Sequence, residues 1–561
     1  MPHVVTQPCC SDASCAYACP VNCIHPTPDE PDFLTAEMVY IDPASCVDCG
    51  ACVSACPVDA IVPHTKLQES QERYLSINAD FYKEDRPRRL LAPVIPAPAA
   101  RRDIEPLRVA IIGSGPSAMY AADELLTQPG VQVNVFDRLP TPHGLVRAGV
   151  APDHQKTKQV TRLFDTIADQ RGFEYYLNVE VGTDISHDEL LSHHHAVVYA
   201  VGASSDRRLG IPGEELSGCV SATDFVAWYN GHPDHAGATF DLSQRRVVII
   251  GNGNVALDAA RILTSDPAKL ARTDIAAHAL KALRESKIEE VVIVGRRGPA
   301  QSAFTVPEFS GLLAEPDIDI VVEGDIEADE TALDHSTAQK IAMLREAQAG
   351  TPTPGRKRIT LRYLAAPTQI LGDDNVVGVE FARNSLTVSA DGNVAITATG
   401  ELDTLATGLV LTSIGYRGVP VAGLPFDDRA GVIPNEGGRV QNTPGTYAVG
   451  WIKRGPSGFI GTNKSCAQET VNALVDDYNA GLLNAPKYAA AQLPRTIRAL
   501  QPATVDRAGW NAIDRVELER GVAQNRVRDK ITDRASFAAV VASVPRPRLP
   551  KRLAAAVAAR I

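Results

Sequence analysis

Nine of the eleven cysteines in this 561-residue chain lie before residue 57. Cys46, Cys49, Cys52 and Cys56, followed by Pro57, spell C-x2-C-x2-C-x3-C-P, a spacing in which thiolates hold iron–sulfur clusters. Where such runs come in pairs, the first three cysteines wrap one cluster and the fourth, carried off at a helix start, reaches the other. A partner run is therefore required, and Cys9, Asp12, Cys15, Cys19 and Pro20 supply it as C-x2-D-x2-C-x3-C-P. This crossing puts Cys46, Cys49, Cys52 and Cys19 on one 4Fe-4S cluster. Cys9, Cys15 and Cys56 go to the other, with Asp12 open between a fourth ligand and a turn or cap residue. A carboxylate holds iron less firmly than a thiolate, so that second cluster is expected as 3Fe-4S or a labile 4Fe-4S. Cys10 and Cys23 fall outside both runs and read as spare thiols. Zinc sites rarely need a third cysteine two residues on plus Cys-Pro. A disulfide scaffold needs an oxidising compartment, and the opening MPHVVTQPCC has neither the basic nor the apolar segment of a secretory signal. With no run of about 18 apolar residues, a soluble cytoplasmic protein without a membrane span is expected.

Two glycine-rich turns carry a second chemistry. In RVAIIGSGPSAMYAADELL, Gly113, Gly115 and Ala118 form G-x-G-x-x-A between an apolar strand and a helix. The first glycine allows the tight turn, the second lets a pyrophosphate approach the helix N-terminus, and the small alanine lets helix and strand pack. Asp137 ends the next strand, where an acid can bind ribose hydroxyls. Flavin and NAD both suit this first site. In RVVIIGNGNVALDAARIL, Gly251, Gly253 and Ala256 repeat the pattern with Asn254 at the helix start, and the following strand ends in Arg296 and Arg297. Two guanidiniums can grip a 2′-phosphate where an NAD site would want an acid, so this second site should prefer NADP.

These residues need elements to position them. At 100 to 200 residues per domain the length allows roughly three to five folding units. From Lys66 to Pro106 the pattern loses periodicity and reads as an extended Pro/Arg-rich linker. Beyond it, β-branched runs alternate with helical patterns, as doubly wound α/β units require. The last 75 residues read as a helical extension ending in a basic tail, PRPRLPKRLAAAVAARI. Residues 1–65 hold no Lys or Arg and eight acids within a chain of net charge −12. An acidic module on a near-neutral body suggests docking to a basic protein surface and disfavours nucleic acid. The His193, His194, His195 run reads as a loop, not a metal site.

The segments PHGLVRAGVAPDHQK, GNGNVALDAARILT, VGRRGPAQSAFT, IGYRGVP and VGWIKRGPSGFIGTNK resemble adrenodoxin-reductase-type ferredoxin–NADP reductases over most of residues 107–480. The whole chain resembles an actinobacterial-type fusion of a bacterial ferredoxin with such a reductase. The fold so implied is an α+β ferredoxin-like iron–sulfur module followed by two Rossmann-like α/β domains, the second inserted into the first. The expected boundaries are 1–65 ferredoxin, 66–106 linker, 107–212 and 401–486 FAD domain, 213–400 NADP domain and 487–561 extension. The resemblance implies FAD at Ser117, Ala118, Asp137, Leu145, Val181, Trp451, Gly458, Phe459 and Ile460. It implies NADP(H) at Asn252, Gly253, Asn254, Val255, Arg296, Arg297 and Glu308, with Gly458 near the nicotinamide and His154 and Asp258 in proton or hydride handling. The expected activity is NADPH:ferredoxin oxidoreduction, with the acceptor open between the chain's own ferredoxin, an external ferredoxin and a haem monooxygenase system. A glutamate-synthase small-subunit type and a non-catalytic electron-transfer subunit are the alternatives. A disulfide reductase is disfavoured because Cys219 and Cys466 are lone cysteines.

Overall fold

The two cysteine runs fold as a pseudo-repeat. In this computed structural model, which describes residues 2–83, 97–103, 105–326, 333–388 and 394–544, each run forms a five-residue helix, Ser14–Ala18 and Ala51–Ala55. Each helix is entered through a left-handed residue, Ala13 or Gly50, and left through an extended cysteine, Cys19 or Cys56. Two short antiparallel strand pairs, His3–Val5 with Ile61–Pro63 and Ile24–His25 with Tyr40–Ile41, close the module.

The expected linker is not extended at its start. Tyr74–Asp80 is a helix, and its buried Asn78 explains why it belongs to the module. The Asn78 Oδ1 accepts from Val5 N (3.2 Å) and Ile41 N (3.0 Å), while Nδ2 donates to Val5 O (2.9 Å). One amide thus satisfies backbone groups of two strands that water cannot reach. Phe81 stacks on Tyr40 at 4.3 Å between ring centroids. Residues 84–96 of the expected linker, and the basic tail from residue 545, lie outside the described residues.

Downstream lie two parallel sheets whose central strands are buried on both faces, which is why they read as unbroken β-branched runs. The first has seven strands in the order Asn435–Glu436, Arg439–Val440, Thr446–Ala448, Ala196–Tyr199, Arg108–Ile112, Gln132–Asp137, Phe173–Leu177, with antiparallel pairing at its Asn435 edge. The second has six parallel strands, Cys219–Ser221, Leu409–Thr412, Arg246–Ile250, Glu290–Val294, Lys357–Arg362, Ile318–Glu323. Leu409–Thr412 pairs with Arg246–Ile250, so the segment just past residue 400, expected with the first sheet, runs in the second. A three-stranded antiparallel sheet, Ala365–Gly372, Val376–Val388 and Val394–Ala406, flanks it.

The C-terminal extension is helical at Leu493–Leu500, Arg507–Ala523 and Arg534–Ala542. It reaches back into the body through buried charges. Glu517 binds Arg147 and Arg528, and Lys530 binds Asp274 at 2.8 Å. Among the described residues no helix is long and apolar enough to cross a membrane.

Candidate functional site

The cysteines surround two cavities. One is lined by Cys19, Cys46, Cys49 and Cys52, with Cys23 on its wall. The other is lined by Cys9, Asp12, Cys15 and Cys56, with Cys10 on its wall. Each cavity therefore takes one cysteine from the other run, because the helix ends carry Cys19 and Cys56 across. The same N–H to sulfur bond recurs in each run, Cys23 N to Cys19 Sγ and Ala60 N to Cys56 Sγ, both 3.3 Å. No disulfide joins any of the eleven cysteines. Burial pushes the Cys9 and Cys52 thiols up to about 11 and Cys15 well above the usual range. Bare thiolates are thus disfavoured here, and a bound cation would stabilise them, since a coordinating thiol is deprotonated outright. That donor set fits iron–sulfur clusters. The Asp12 carboxylate accepts from Ser14 N (3.3 Å) and Ser14 Oγ (2.6 Å), so it anchors the helix start while lining the cavity. Cys10 and Cys23, expected as spare thiols, stand beside the ligand sets.

At the first glycine turn, Gly113 has φ +104° and a Cβ there would overlap the Ala200 carbonyl. Gly115 opens the helix Pro116–Leu126 and faces the backbone of Gly144, which starts the helix bearing Leu145. Ala118 is fully buried against the sheet. Ser117 Oγ donates to Asn463 Oδ1 at 2.9 Å, and a Cβ on Gly450 would overlap Ser117. These contacts bring the segment Trp451–Ile460 to the helix N-terminus. Trp451 packs beside Tyr416 and donates to Ser457 O at 3.1 Å. Gly458 has φ +79°, and Phe459 N donates to Thr462 Oγ1 at 3.0 Å. Asp137 accepts from Ser114 N and Leu139 N, each at 2.9 Å, and burial pushes its carboxyl up against those bonds. Its oxygens keep lone pairs for a ribose. Val181 bridges Ile185 and packs against the buried cluster that also holds Ile112.

At the second turn, Gly251 has φ +112° against Ser413, and the space beside Gly253 is open. Asn252 Oδ1 accepts from Ala303 N (3.4 Å) and Asn254 Oδ1 from Thr305 N (2.9 Å), tying the turn to the helix Val306–Leu313. Val255 is half-buried. Arg296 and Arg297 are exposed, and among the described residues neither guanidinium has a partner. The helix Asn254–Thr264 also carries Asp258. His154, Asp258 and Glu308 come within 4.8 Å of one another. Arg261 fills this cluster. Its guanidinium binds Asp153 (2.6 and 3.0 Å), Asp258 (2.7 Å) and His154 Nε2 (2.8 Å). An arginine can only donate, so His154 accepts at Nε2 and carries its proton on Nδ1. Burial raises Asp153, but Arg261 outweighs it and holds the carboxyl at about 2. Burial pushes the Glu308 carboxyl up.

The cysteine module touches both nucleotide-binding units. Gly461 N donates to Cys10 O at 2.7 Å, and a Cβ on Gly461 would overlap the backbone of Ser11 and Asp12. Lys464 Nζ donates to Ser14 Oγ at 3.2 Å. On the other side Glu37 accepts from Val306 N (2.6 Å) and pairs with Lys340 (2.7 Å), Tyr74 donates to Pro307 O, and Gln7 Nε2 donates to Glu308 at 3.1 Å.

A probable ferredoxin/ferredoxin–NADP reductase of Mycobacterium tuberculosis is 54% identical over 99% of this chain and 97% of its own length. The chain belongs to the ferredoxin/ferredoxin–NADP reductase family. A Mycobacterium leprae protein of the same description is 53% identical over 98% of this chain and 99% of its length. The solved structure of Mycobacterium tuberculosis FprA in complex with NADPH matches with a TM-score of 0.75 at 44% identity, covering 78% of this chain and all of FprA. A 4Fe-4S binding domain model matches residues 39–62 and a pyridine nucleotide-disulphide oxidoreductase model residues 107–305.

Sequence reasoning missed Asp153 and Arg261, although Asp153 precedes His154 and Arg261 lies one helical turn after Asp258, a spacing that places both on one face. Gln7, Glu37 and Gly461 carried no local signal. In the His193–His195 run, His193 ends a helix and His194 and His195 form the buried connection to the strand Ala196–Tyr199, where His194 Nε2 meets Asn134 Nδ2 at 2.9 Å and His195 Nδ1 accepts from Arg108 N. Burial holds His194 down at about 3, as suits neutral core histidines.

Proposed function

We propose that this chain is an NADPH:ferredoxin oxidoreductase that carries its own ferredoxin, with FAD in the first nucleotide site, NADP(H) in the second and two clusters in the cysteine module. A flavin takes a hydride and gives up electrons singly, which matches the one-electron clusters. The observation that carries this reading is the seam, where the Cys10–Asp12 backbone sits on Gly461, next to Gly458–Ile460.

The reading of the NADP unit as an insertion in the FAD unit is supported by which strands share a sheet, with strands from residues 108–199 and 435–448 in one and from residues 219–412 in the other. Arg296 and Arg297 grip the 2′-phosphate, while Gly253 and Asn254 receive the pyrophosphate at a helix start. Arg261 keeps Asp153 ionised, holds Asp258 by a 2.7 Å bond and leaves the His154 proton on Nδ1. Glu308, pushed up by burial, is the group of this cluster best placed to hold a proton. Asp12 lines the Cys9, Cys15 and Cys56 cavity as the fourth ligand of a 4Fe-4S cluster, or stands without an iron beside a 3Fe-4S one.

Anaerobic purification with flavin, iron and sulfide counts, followed by NADPH-dependent dye reduction, tests the assignment. One flavin, seven to eight irons by the stoichiometry of two such clusters (about two sets of four) and a preference for NADPH are expected. Absence of flavin, or equal use of NADH, overturns it.

A further inference from the structure

The one donor to the Glu308 carboxylate comes from another body of the protein. Glu308 sits on the helix Val306–Leu313, with His154 Nε2 at 3.7 Å and with Asp258 and Arg261 on the helix Asn254–Thr264 beside it. Arg261 donates to Asp153, Asp258 and His154 Nε2, and none of its printed bonds goes to Glu308. Among the described residues the single hydrogen bond to this carboxylate is donated by Gln7 Nε2 at 3.1 Å, from the cysteine module, 301 positions earlier in the chain. The module pins Gln7 from both sides. Thr6 N and Thr6 Oγ1 donate to Ala60 O at 2.9 and 2.8 Å, and Cys9 N donates to Thr6 O at 3.1 Å. The receiving helix leaves room for the amide. Gly311 lies one turn after Glu308, on the same face, and a Cβ there would overlap the Gln7 amide and nothing nearer. The other charged and titratable groups around this helix are engaged elsewhere: Asp153 by Arg261, Tyr74 by Pro307 O, and Glu37 by Lys340 and Val306 N.

We propose that Gln7 is a positioning residue of the reductase reaction: through its one hydrogen bond it aims the Glu308 carboxylate at His154 and Asp258, so the cysteine module completes the nucleotide site as well as accepting electrons from it. The inference rests on the NADPH:ferredoxin reading above and deepens it, since it gives the module a part in the chemistry of the nucleotide. An N–H donated to a carboxylate favours the ionised form, and a buried carboxylate without a donor keeps its proton to higher pH. Burial already pushes Glu308 up and Gln7 opposes it. Undocking the module would therefore change the protonation of Glu308 together with the electron path.

The test is NADP+ binding to the oxidised holoprotein, read from flavin absorbance over a pH series, with kcat/KM for NADPH and ferricyanide measured alongside. Glu308→Gln should abolish the pH-dependent limb of NADP+ affinity and so assign it. Gln7→Leu, which keeps bulk and loses the donor, should move that limb up by about one pH unit, the scale of one hydrogen bond to a charged group. Gly311→Ala favours the helix and displaces only the Gln7 amide, and it should move the limb the same way by a similar amount. It leaves the module's own sequence intact, so it decides alone if Gln7→Leu loses its clusters. The double variant should shift the limb no further than Gln7→Leu, whereas two independent packing effects would add. Flavin content, iron content and spin-resonance signals should match wild type. A limb that survives Glu308→Gln, an unmoved limb in Gly311→Ala or in an intact Gln7→Leu, or additive shifts would overturn the role of Gln7. Failure of the unmutated protein to bind NADP+ or to reduce ferricyanide with NADPH would instead overturn the underlying reading, so the two failures are distinct.

Discussion

Glu517→Ala should cost this protein a large part of its stability, although Glu517 lies in the C-terminal extension. Its side chain is fully buried and accepts from Arg147 at 2.9 and 2.6 Å, from Arg528 at 2.9 Å and from Ile531 N at 2.9 Å. Removing it leaves Arg147 without its counter-charge, while Arg528 keeps Asp514 at 2.6 Å; breaking one partner of a buried pair costs about 3–5 kcal/mol. At about 2–4 °C per kcal/mol for units of this size, the Tm should fall by roughly 6–20 °C. The pH dependence supplies a second check. Burial raises the Glu517 carboxyl, but Arg147 and Arg528 outweigh it and hold it below the usual carboxylate range. A depressed folded-state value means that the stabilisation is present above the unfolded value of about 4.3 and is lost as pH falls through the folded value. Wild type and variant should therefore differ most near neutrality and converge in acid. Arg147 follows Leu145 by two residues, so flavin retention should weaken with it. Thermal unfolding across a pH series measures all of this. A variant melting within 2 °C of wild type at pH 7, by the same scale, would refute the argument.

Arg296→Ala with Arg297→Ala should lower the preference for NADPH over NADH on the order of a hundredfold, since two charge-assisted contacts are removed; steady-state kcat/KM for both nucleotides decides it. Asp12→Cys should yield a stable 4Fe-4S cluster where the natural protein holds 3Fe-4S or a labile fourth iron, because thiolate suits iron better than carboxylate; unchanged iron content and spin-resonance signals would show that position 12 does not face the cluster. Glu37→Lys sets a lysine against Lys340 and strands Val306 N, so cluster reduction by NADPH should slow about tenfold and become more sensitive to salt. Stopped-flow absorbance at the flavin and cluster bands would show whether only the second step slows.

The cysteine sets and both glycine turns were legible in the sequence because their geometry is local: ligand spacing, a left-handed glycine and a helix start all fall within about fifteen residues. The alternation of β-branched runs and helices likewise disclosed the two parallel sheets. What stayed hidden was long-range. Glu517 meets Arg147 across 370 positions, and nothing near either residue announces the pairing. The helix Tyr74–Asp80 was read as linker because what holds it is Asn78, acting on strands up to 73 residues away. The unit boundary near residue 400 was misplaced because the strand Leu409–Thr412 is assigned by its sheet partner, not by its own residues.

The seam that carries Glu37 and Gly461 makes a triangle of three bodies. The cysteine module is fastened to the unit holding Gly461 and Lys464 and also to the unit holding Val306, Pro307 and Lys340. Those two units adjoin each other through Arg261 and Asp153. A triangle fastened on all three sides has no free hinge. Any change in the angle between the nucleotide-binding units must break contacts on one side of the module, so the relative pose of the two nucleotides and the position of the flavin-side cysteines are mechanically a single coordinate.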